Sequence, residues 1–495
     1  MKTEILNTRR TLFLVAVLAL LLGPISGARG QGPGKNILIV VADDVGTDKI
    51  VCYGKYTPTG NSQIPRMNPR TPRIDDLATH GVLFENAWSS PVCSPARACL
   101  QTGRYGFRTG IGWVIDYGDD SVELSPDAET ILPEALDAAG SGYQHALIGK
   151  WHLSTDIANG GSGLCGPTKS GYGYFEGTME NVLDYYHWWE ISCDSSGQKP
   201  TTKEKSEKYV TSVQGISAYE WIESQHAYDP SLPWFCVLNF NAPHEDVSGW
   251  PAPPKDLHTY GDLKSASDVT RYLATLEALD TVLGKLLVAI GDLYGGQWYE
   301  TTTVIFVGDN GTPDSVLDPA YPQGHGKGTA YQGAVHVPLI VAGFGVDSSL
   351  RGTTEDEIVH MVDLYSTALA LAGVSVSDLG LSVDSKSLVP CLSAGSLVLY
   401  AIPSSSVMSP TIYTELFRTN GSPDVSPTRA IRNNRYKLIR YYDGNGVLLI
   451  SEDELYDLVD DPYEETNILL GSPTQEETDN WDDLAKAMGD LLSSK

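Results

Sequence analysis

An α/β fold is what this sequence predicts: a large mixed, mostly parallel sheet flanked by helices, followed by a smaller C-terminal α+β domain. Three observations carry that prediction. Five short apolar runs are spaced by helical patterns, the signature of strands alternating with helices. Four of those runs end in clusters of Asp, Asn, His or Lys, and ligands bind outside the carboxyl ends of strands in open α/β sheets. Near residue 400 the texture changes to a Ser- and Pro-rich stretch, Pro403 to Pro410.

The elements follow in order. Lys2, Arg9 and Arg10 precede an apolar run from Leu12 to Leu22 and small residues from Gly23 to Ala28, so residues 1–30 read as a signal peptide. Thr8-Arg9-Arg10-Thr11-Leu12 is also similar to a twin-arginine signal, with Sec export the alternative. The protein is therefore expected to be exported, periplasmic or secreted. The run is short for a membrane span, and no later segment is apolar enough to be one. Residues 31–400 are expected to form the main domain. Residues 401–495 form the C-terminal one, with a small antiparallel sheet (strands around 413–417 and 437–442) and a terminal helix from about Asp479 to Leu492.

Asn36 to Ala42 is a continuous apolar run, as in a strand buried on both faces, and it ends in Asp43-Asp44. These adjacent carboxylates are either a solvated turn or a site needing a cationic partner. Thr71-Pro72 opens a helix that Gly81 closes. A packing helix is expected over 130–139, then a strand, His145 to Ile148, ending in Gly149-Lys150-Trp151-His152. Residues 154–205 read as a long loop insertion near the site mouth. Its aromatics, Tyr185-Tyr186-His187-Trp188-Trp189, suit core packing or a sugar ring. A helix over about 209–224 precedes the strand Trp234 to Phe240, which ends in Asn241-Ala242-Pro243-His244. A helix over 268–291 carries Tyr272, Leu276, Leu279 and Leu283 on one stripe. The strand Thr302 to Val307 ends in Gly308-Asp309-Asn310-Gly311, Lys327 sits in a glycine-bracketed loop, and Val337 to Val341 is the fifth strand.

Composition narrows the partners. The 495 residues carry 34 basic and 62 acidic side chains, a formal charge of −28. That surface argues against a nucleic-acid partner and favours a small ester or a chain end over a long polyanion. Of seven cysteines at least one is unpaired, and Cys165 with Cys193 could close a surface loop.

Cys93-Ser94-Pro95-Ala96-Arg97, continuing to Thr102-Gly103-Arg104, places a cysteine at a helix start, where Pro95 is tolerated and negative charge is stabilised. Taken alone, it is a special cysteine or a buried or disulfide-bonded one. Asp43, Asp44, Asp309 and Asn310 supply only hard oxygen ligands, which suit Ca²⁺ or Mg²⁺ over zinc. Arg97, Lys150, His152, His244 and Lys327 could surround an anion, and a metal with such a ring favours an anionic ester. Asn310-Gly311-Thr312 also fits a glycosylation sequon, which a metal ligand at a strand end would not serve.

The cysteine stretch resembles the sulfatase motif Cys-x-Pro-(Ser or Ala)-Arg followed by Thr-Gly-Arg. With Asp43-Asp44, Gly149 to His152, Ala242-Pro243-His244, Asp309-Asn310-Gly311, Lys327, Glu454 to Leu458 and Asp461-Pro462, the chain from about 36 to 470 looks like a type I sulfatase of the alkaline phosphatase superfamily. The resemblance implies an alkaline phosphatase-like catalytic domain and formylglycine made from Cys93 by a formylglycine-generating enzyme. It implies Ca²⁺ on Asp43, Asp44, Asp309 and Asn310, touching the residue-93 nucleophile too. It also gives roles to Arg97 and Lys150 (holding the formylglycine hydroxyls), Lys327 and His244 (sulfate and leaving oxygen) and His152 (a proton acceptor). The implied substrate is an aryl sulfate or sulfated saccharide. The chain departs from the pattern in three places: Ala96 for serine, Gln332-Gly333-Ala334-Val335-His336 for Glu-Gly-Gly-x-Arg, and Glu245-Asp246 for Thr-Pro. The rival readings are a phosphonate or phosphate ester hydrolase of the same superfamily and a non-catalytic secreted binding protein.

Overall fold

The computed structural model describes residues 36–54, 69–118, 122–157, 161–197, 200–394 and 410–494. The signal peptide and the domain boundary expected at 400 lie outside the described residues. The main strands are β1 Asn36–Ala42, β2 Gly81–Trp88, β3 Gln144–Lys150, β4 Tyr174–Thr178, β5 Trp188–Asp194, β6 Thr202–Ser206, β7 Trp234–Asn239, β8 Thr302–Gly308, β9 Leu339–Gly343 and β10 Thr353–His360. A second sheet holds β11 Ile412–Leu416, β12 Thr428–Arg432, β13 Tyr436–Tyr441 and β14 Glu454–Asp457. The helices used below are α1 Pro72–Thr79, α2 Cys93–Thr102, α3 Leu132–Ala138, α4 Val210–Tyr228, α5 Asp268–Tyr294, α6 Gln332–Val335, α7 Asp363–Leu371 and α8 Gln475–Ser493.

The large sheet has the order β10-β2-β9-β8-β1-β7-β3-β4-β5-β6. Its centre is parallel, as expected; β9 runs antiparallel to both β8 and β2, and β5 to both β4 and β6. The direction of β9 matters for function. Because it is reversed, its N-terminal end lies at the edge where the other strands finish, so the Lys327 loop before it joins their C-terminal loops.

Alternation along β1 shows why the strand is apolar throughout. Ile37, Ile39 and Val41 enter one core layer with residues of α2, α3 and α7, while Leu38, Val40 and Ala42 enter the other with residues of α1, α4 and α5. Each such fully buried aliphatic side chain stabilises the fold by roughly 1.5–3 kcal/mol, and a period-2 slip would exchange the layers.

Several expectations need correction. The 154–205 stretch is not a loop insertion: it carries β4, β5 and β6, which extend the sheet to its edge. β6 is Thr-Lys-Glu-Lys-Ser, mostly exposed, so burial left no apolar run to read. Cys165 and Cys193 do form a disulfide, tying the turn before β4 to β5. Thr71 precedes α1 but makes no capping hydrogen bond. Asp280 of α5 caps the helix instead, accepting from the N–H groups of Arg73 (3.0 Å) and Ile74 (2.8 Å), and burial pushes its carboxyl up to about 7. His80 ends α1, and Gly81 opens β2, a strand the sequence reading missed. β10, α7, β12 and β14 were missed as well, and α8 begins at Gln475 rather than near 479. The small antiparallel sheet is present, with order β11-β12-β13-β14.

Candidate active site

Cys93 is the first residue of α2, a helix whose ten residues are all buried and whose end at Gly103 takes the left-handed backbone (φ 68°) that glycine favours. One turn on, the Arg97 guanidinium points back along the helix. It donates to Asp309 Oδ2 at 2.7 Å, to Asp43 Oδ2 at 3.3 Å and to the Lys150 carbonyl at 3.0 Å. Residues 43, 97, 150 and 309, far apart in sequence, are thus locked together at the C-terminal edge of the sheet. The Lys150 ammonium also donates to Asp43 Oδ2.

The backbone is pinched to bring β3 to this point. Gly149 has φ +98°, and a Cβ there would lie 1.9 Å from the Asn239 carbonyl oxygen. Asp44 and His152 hold left-handed conformations (φ 68° and 60°), costly for non-glycine residues. Asp44 is held by its own N–H to Asp309 Oδ1 (3.1 Å) and by the Tyr272 hydroxyl donating to its carbonyl (2.8 Å). Tyr272, Asn239 (Nδ2 to the Lys150 carbonyl, 2.8 Å) and Ser89 (Oγ to the Asp309 carbonyl, 2.5 Å) support the site and were not singled out in the sequence. Asn239 offered a signal, being a polar side chain at the end of an apolar strand; Tyr272 was hidden among helix-stripe residues.

Lys327 Nζ lies 2.5 Å from Asp44 Oδ1, and His244 Nε2 lies 3.7 Å from Asp44 Oδ2. These two side chains are each 15% exposed, while Asp43, Asp44, Cys93, Arg97, Lys150, His152, Asp309 and Asn310 are 0–2% exposed. His244 Nδ1 sits 2.6 Å from the Glu245 carbonyl, which can only accept, so Nδ1 carries a proton and Nε2 faces the site. All the site residues expected from sequence therefore meet at one place. The sequon reading fails, since Asn310 and Thr312 are fully buried. His336, where an arginine was expected, is buried against Thr47 Oγ1 (3.2 Å) and the Glu85 carbonyl (2.8 Å).

Charge decides the chemistry. Burial alone would raise the Asp43 carboxyl, but Lys150 and Arg97 beside it hold it well below the usual carboxylate range. Burial, then the charge of Asp43, pushes Asp309 up to about 6. Burial, followed by Lys150 and Arg97, holds His152 well below the usual imidazole range, so it is neutral and free to accept a proton. Its Nδ1 has no partner among the described residues. Burial also raises the Cys93 thiol despite the two lysines, which keeps it protonated.

A divalent cation fits these residues. Asp43 Oδ1 and Asn310 Oδ1 are buried acceptors without a hydrogen-bond partner among the described residues, which is costly unless something else satisfies them. Donor atoms of Asp43, Asp44, Cys93 and His244 lie within 4.8 Å of one another. The three carboxylates are balanced by Arg97, Lys150 and Lys327, so a divalent ion would leave net positive charge toward an incoming anion.

A buried cluster of carboxylates with room for a divalent cation, ringed by Arg97, Lys150 and Lys327, suits a hydrolase for anionic esters. A family model described as Sulfatase matches residues 35–374, and one described as N-sulphoglucosamine sulphohydrolase, C-terminal, matches residues 325–491. The chain belongs to the sulfatase family, type I sulfatases of the alkaline phosphatase superfamily, and is a sulfuric ester hydrolase. Human N-acetylgalactosamine-6-sulfatase is 27% identical over 391 residues, covering 75% of this chain and 68% of that protein. Mouse arylsulfatase J is 28% identical over 361 residues, 70% of this chain and 54% of that protein, so the chain spans about half of it. The solved structure of Ps i-CgsB in complex with k-i-k-neocarrahexaose matches with a TM-score of 0.70 at 22% identity over 93% of both chains, a likeness in fold. Among the described residues no helix is long and apolar enough to cross a membrane.

Proposed function

We propose that this protein hydrolyses sulfate monoesters of saccharides, using formylglycine made from Cys93 and a Ca²⁺ ion held by Asp43, Asp44, Asp309 and Asn310. The meeting of Asp43, Asp44 and His244 around Cys93, with Asp43 Oδ1 and Asn310 Oδ1 left unpartnered among the described residues, is the observation that carries the reading. Saccharide substrates are favoured by the sugar named for the human relative and the oligosaccharide bound to the structural neighbour.

Hydrated formylglycine supplies a geminal diol, one hydroxyl to displace the alcohol from sulfur and the other to let sulfate leave as the aldehyde returns. The metal, when bound, supplies positive charge to sulfate and nucleophile oxygens. The protein's own groups do the rest. Arg97 and Lys150 orient the hydroxyls at residue 93. Lys327 and His244, at the opening, bind the sulfate, and one proton passes to the departing alcohol oxygen from Lys327 Nζ or from His244 Nε2 when that ring is doubly protonated beside Asp44 and the anion. His152, neutral in its buried position, takes the proton from the remaining hydroxyl.

Maturation requires a formylglycine-generating enzyme, and residues 1–30 are the signal for export. Residues 31–400 form the catalytic domain and 401–495 the C-terminal subdomain. Peptide mass spectrometry across residues 89–104 should show Cys93 lighter by about 18 Da, the change from CH₂SH to CHO. Cys93→Ala should fold normally by circular dichroism yet release no sulfate. An intact thiol in active enzyme, or near-normal turnover by the variant, defeats the reading. Comparable rates on aryl phosphate would favour the phosphoester alternative.

A further inference from the structure

A cavity of about 530 Å³ lies between the loop segment that follows Lys327 and the small sheet. One wall is the segment Gly328 to Tyr331, which continues directly from Lys327; the other is the loop between β11 and β12, with Arg418, Thr419 and Ser426, and Tyr441 of β13. Both walls are fastened close to the reacting centre. Gly328 donates its N–H to the Pro91 carbonyl at 2.9 Å, two residues before Cys93. On the other side, Asn420 Oδ1 accepts from the N–H groups of Gly112 (3.1 Å) and Trp113 (2.9 Å), and Gly421 donates to the Gly110 carbonyl (2.7 Å). That segment is in turn tied to Ser94, whose Oγ accepts the Ile115 N–H at 3.0 Å. One wall therefore begins at the residue after Lys327, and both walls are tethered by hydrogen bonds to segments flanking Cys93.

Its wall carries a cation held in one orientation. Arg418 is exposed, its guanidinium carbon 4.3 Å from the centroid of the Trp113 ring, and no carboxylate pairs with it among the described residues. Stacking on an indole fixes the plane of a guanidinium while leaving its N–H edge free, the arrangement that forks onto a carboxylate or sulfate. The hydroxyls of Thr419 and Ser426 line the same space, suited to sugar hydroxyls. A guanidinium stacked flat on an indole, with no carboxylate among the described residues on its N–H edge, has an anion as its natural partner.

We propose that this cavity receives the sugar adjoining the one that carries the scissile sulfate, and that Arg418 binds a second anionic group, sulfate or carboxylate, on that sugar. The proposal rests on the sulfatase reading and makes the substrate a saccharide with at least two negative charges. It is tested with three probes on the mature enzyme: an aryl sulfate, a monosulfated neutral disaccharide, and disaccharides whose second sugar bears a sulfate or a carboxylate. The wild type should prefer a doubly charged disaccharide in kcat/KM by about tenfold or more, the scale of one charge-assisted hydrogen-bonding pair. Arg418→Gln should erase that preference through KM, lowering the doubly charged substrates about tenfold more than the aryl sulfate; Arg418→Lys should retain part of it. The sulfate and carboxylate probes show which anion is read. Absence of a preference in the wild type, its survival in Arg418→Gln, or an equal loss on all probes overturns the proposal. Failure of the wild type to release sulfate from any probe brings down the sulfatase reading itself.

Discussion

Glu464 gives the sharpest test of how the C-terminal sheet serves the catalytic one. Its carboxylate and the Lys437 ammonium are 2.5 Å apart, both side chains fully buried, with Lys437 Nζ 5.0 Å from the centroid of the Trp88 ring. The second carboxylate oxygen accepts the Gln332 N–H at the start of α6 (2.5 Å), and Gln332 Oε1 accepts from Trp88 Nε1 (2.7 Å). α6 then holds the metal-loop backbone: Gly311 donates to Ala334 (2.7 Å), Thr312 to Gly333 (3.0 Å), and Lys327 to Thr312 (3.0 Å). Burial pushes the Glu464 carboxyl up and the Lys437 ammonium down, so each charge depends on the other. Glu464→Ala leaves a buried ammonium unpaired and an N–H unsatisfied, which should cost roughly 3–5 kcal/mol of stability in urea denaturation. The loosened α6 should also lower kcat for sulfate release by up to about 100-fold, the scale of an ångström-level misplacement. In Glu464→Gln with Lys437→Met no charge is stranded, and most of the stability should return. A single variant within about 1 kcal/mol of wild type, or a double variant no more stable than it, refutes the reasoning.

Two further outcomes follow from the site. Asp309→Ala should lose bound divalent metal, measured by elemental analysis after dialysis, and turnover with it. Its metal affinity should fall by more than the roughly 10–100-fold typical of outer-shell changes, and unchanged metal content would rule out this ligand set. His336, buried and held down to about 4, is neutral in the fold but takes up a proton when unfolded, with the ordinary value near 6.5. Its contribution is complete above pH 6.5 and declines as pH falls toward 4, by about 3 kcal/mol in total. The stability gap between wild type and His336→Gln should therefore narrow across that window; a gap independent of pH contradicts the assignment.

Much of the site was legible because its groups sit at the ends of apolar runs. β1, β3, β7 and β8 are buried on both faces, so Asp43, Lys150, His244 and Asp309 stood out as polar residues after continuous hydrophobic stretches. β2 was missed because Glu85 and Asn86 interrupt it, and β10 because an edge strand can carry Glu355, Asp356 and Glu357. The direction of β9 leaves no trace in its apolar run, although it delivers Lys327 to the site. Nothing local marks Asp309 as the partner of Arg97, 212 residues away. The start of α8 did have a readable sign, the Thr474–Glu477 capping box.

The exposure of the site residues has a consequence for how such an enzyme can change. Every residue proposed above to act on the sulfate ester is sealed at 0–2% exposure except Lys327 and His244, whose side chains are 15% exposed. An anion approaching from solvent meets Lys327 and His244 first, with the other groups buried behind them. Selection for a new alcohol can then act on side chains of the Glu245 loop or the β11–β12 loop, provided the backbone contacts that hold His244 and the Gly110–Trp113 segment are kept. Chemistry and taste are inherited separately in such a molecule.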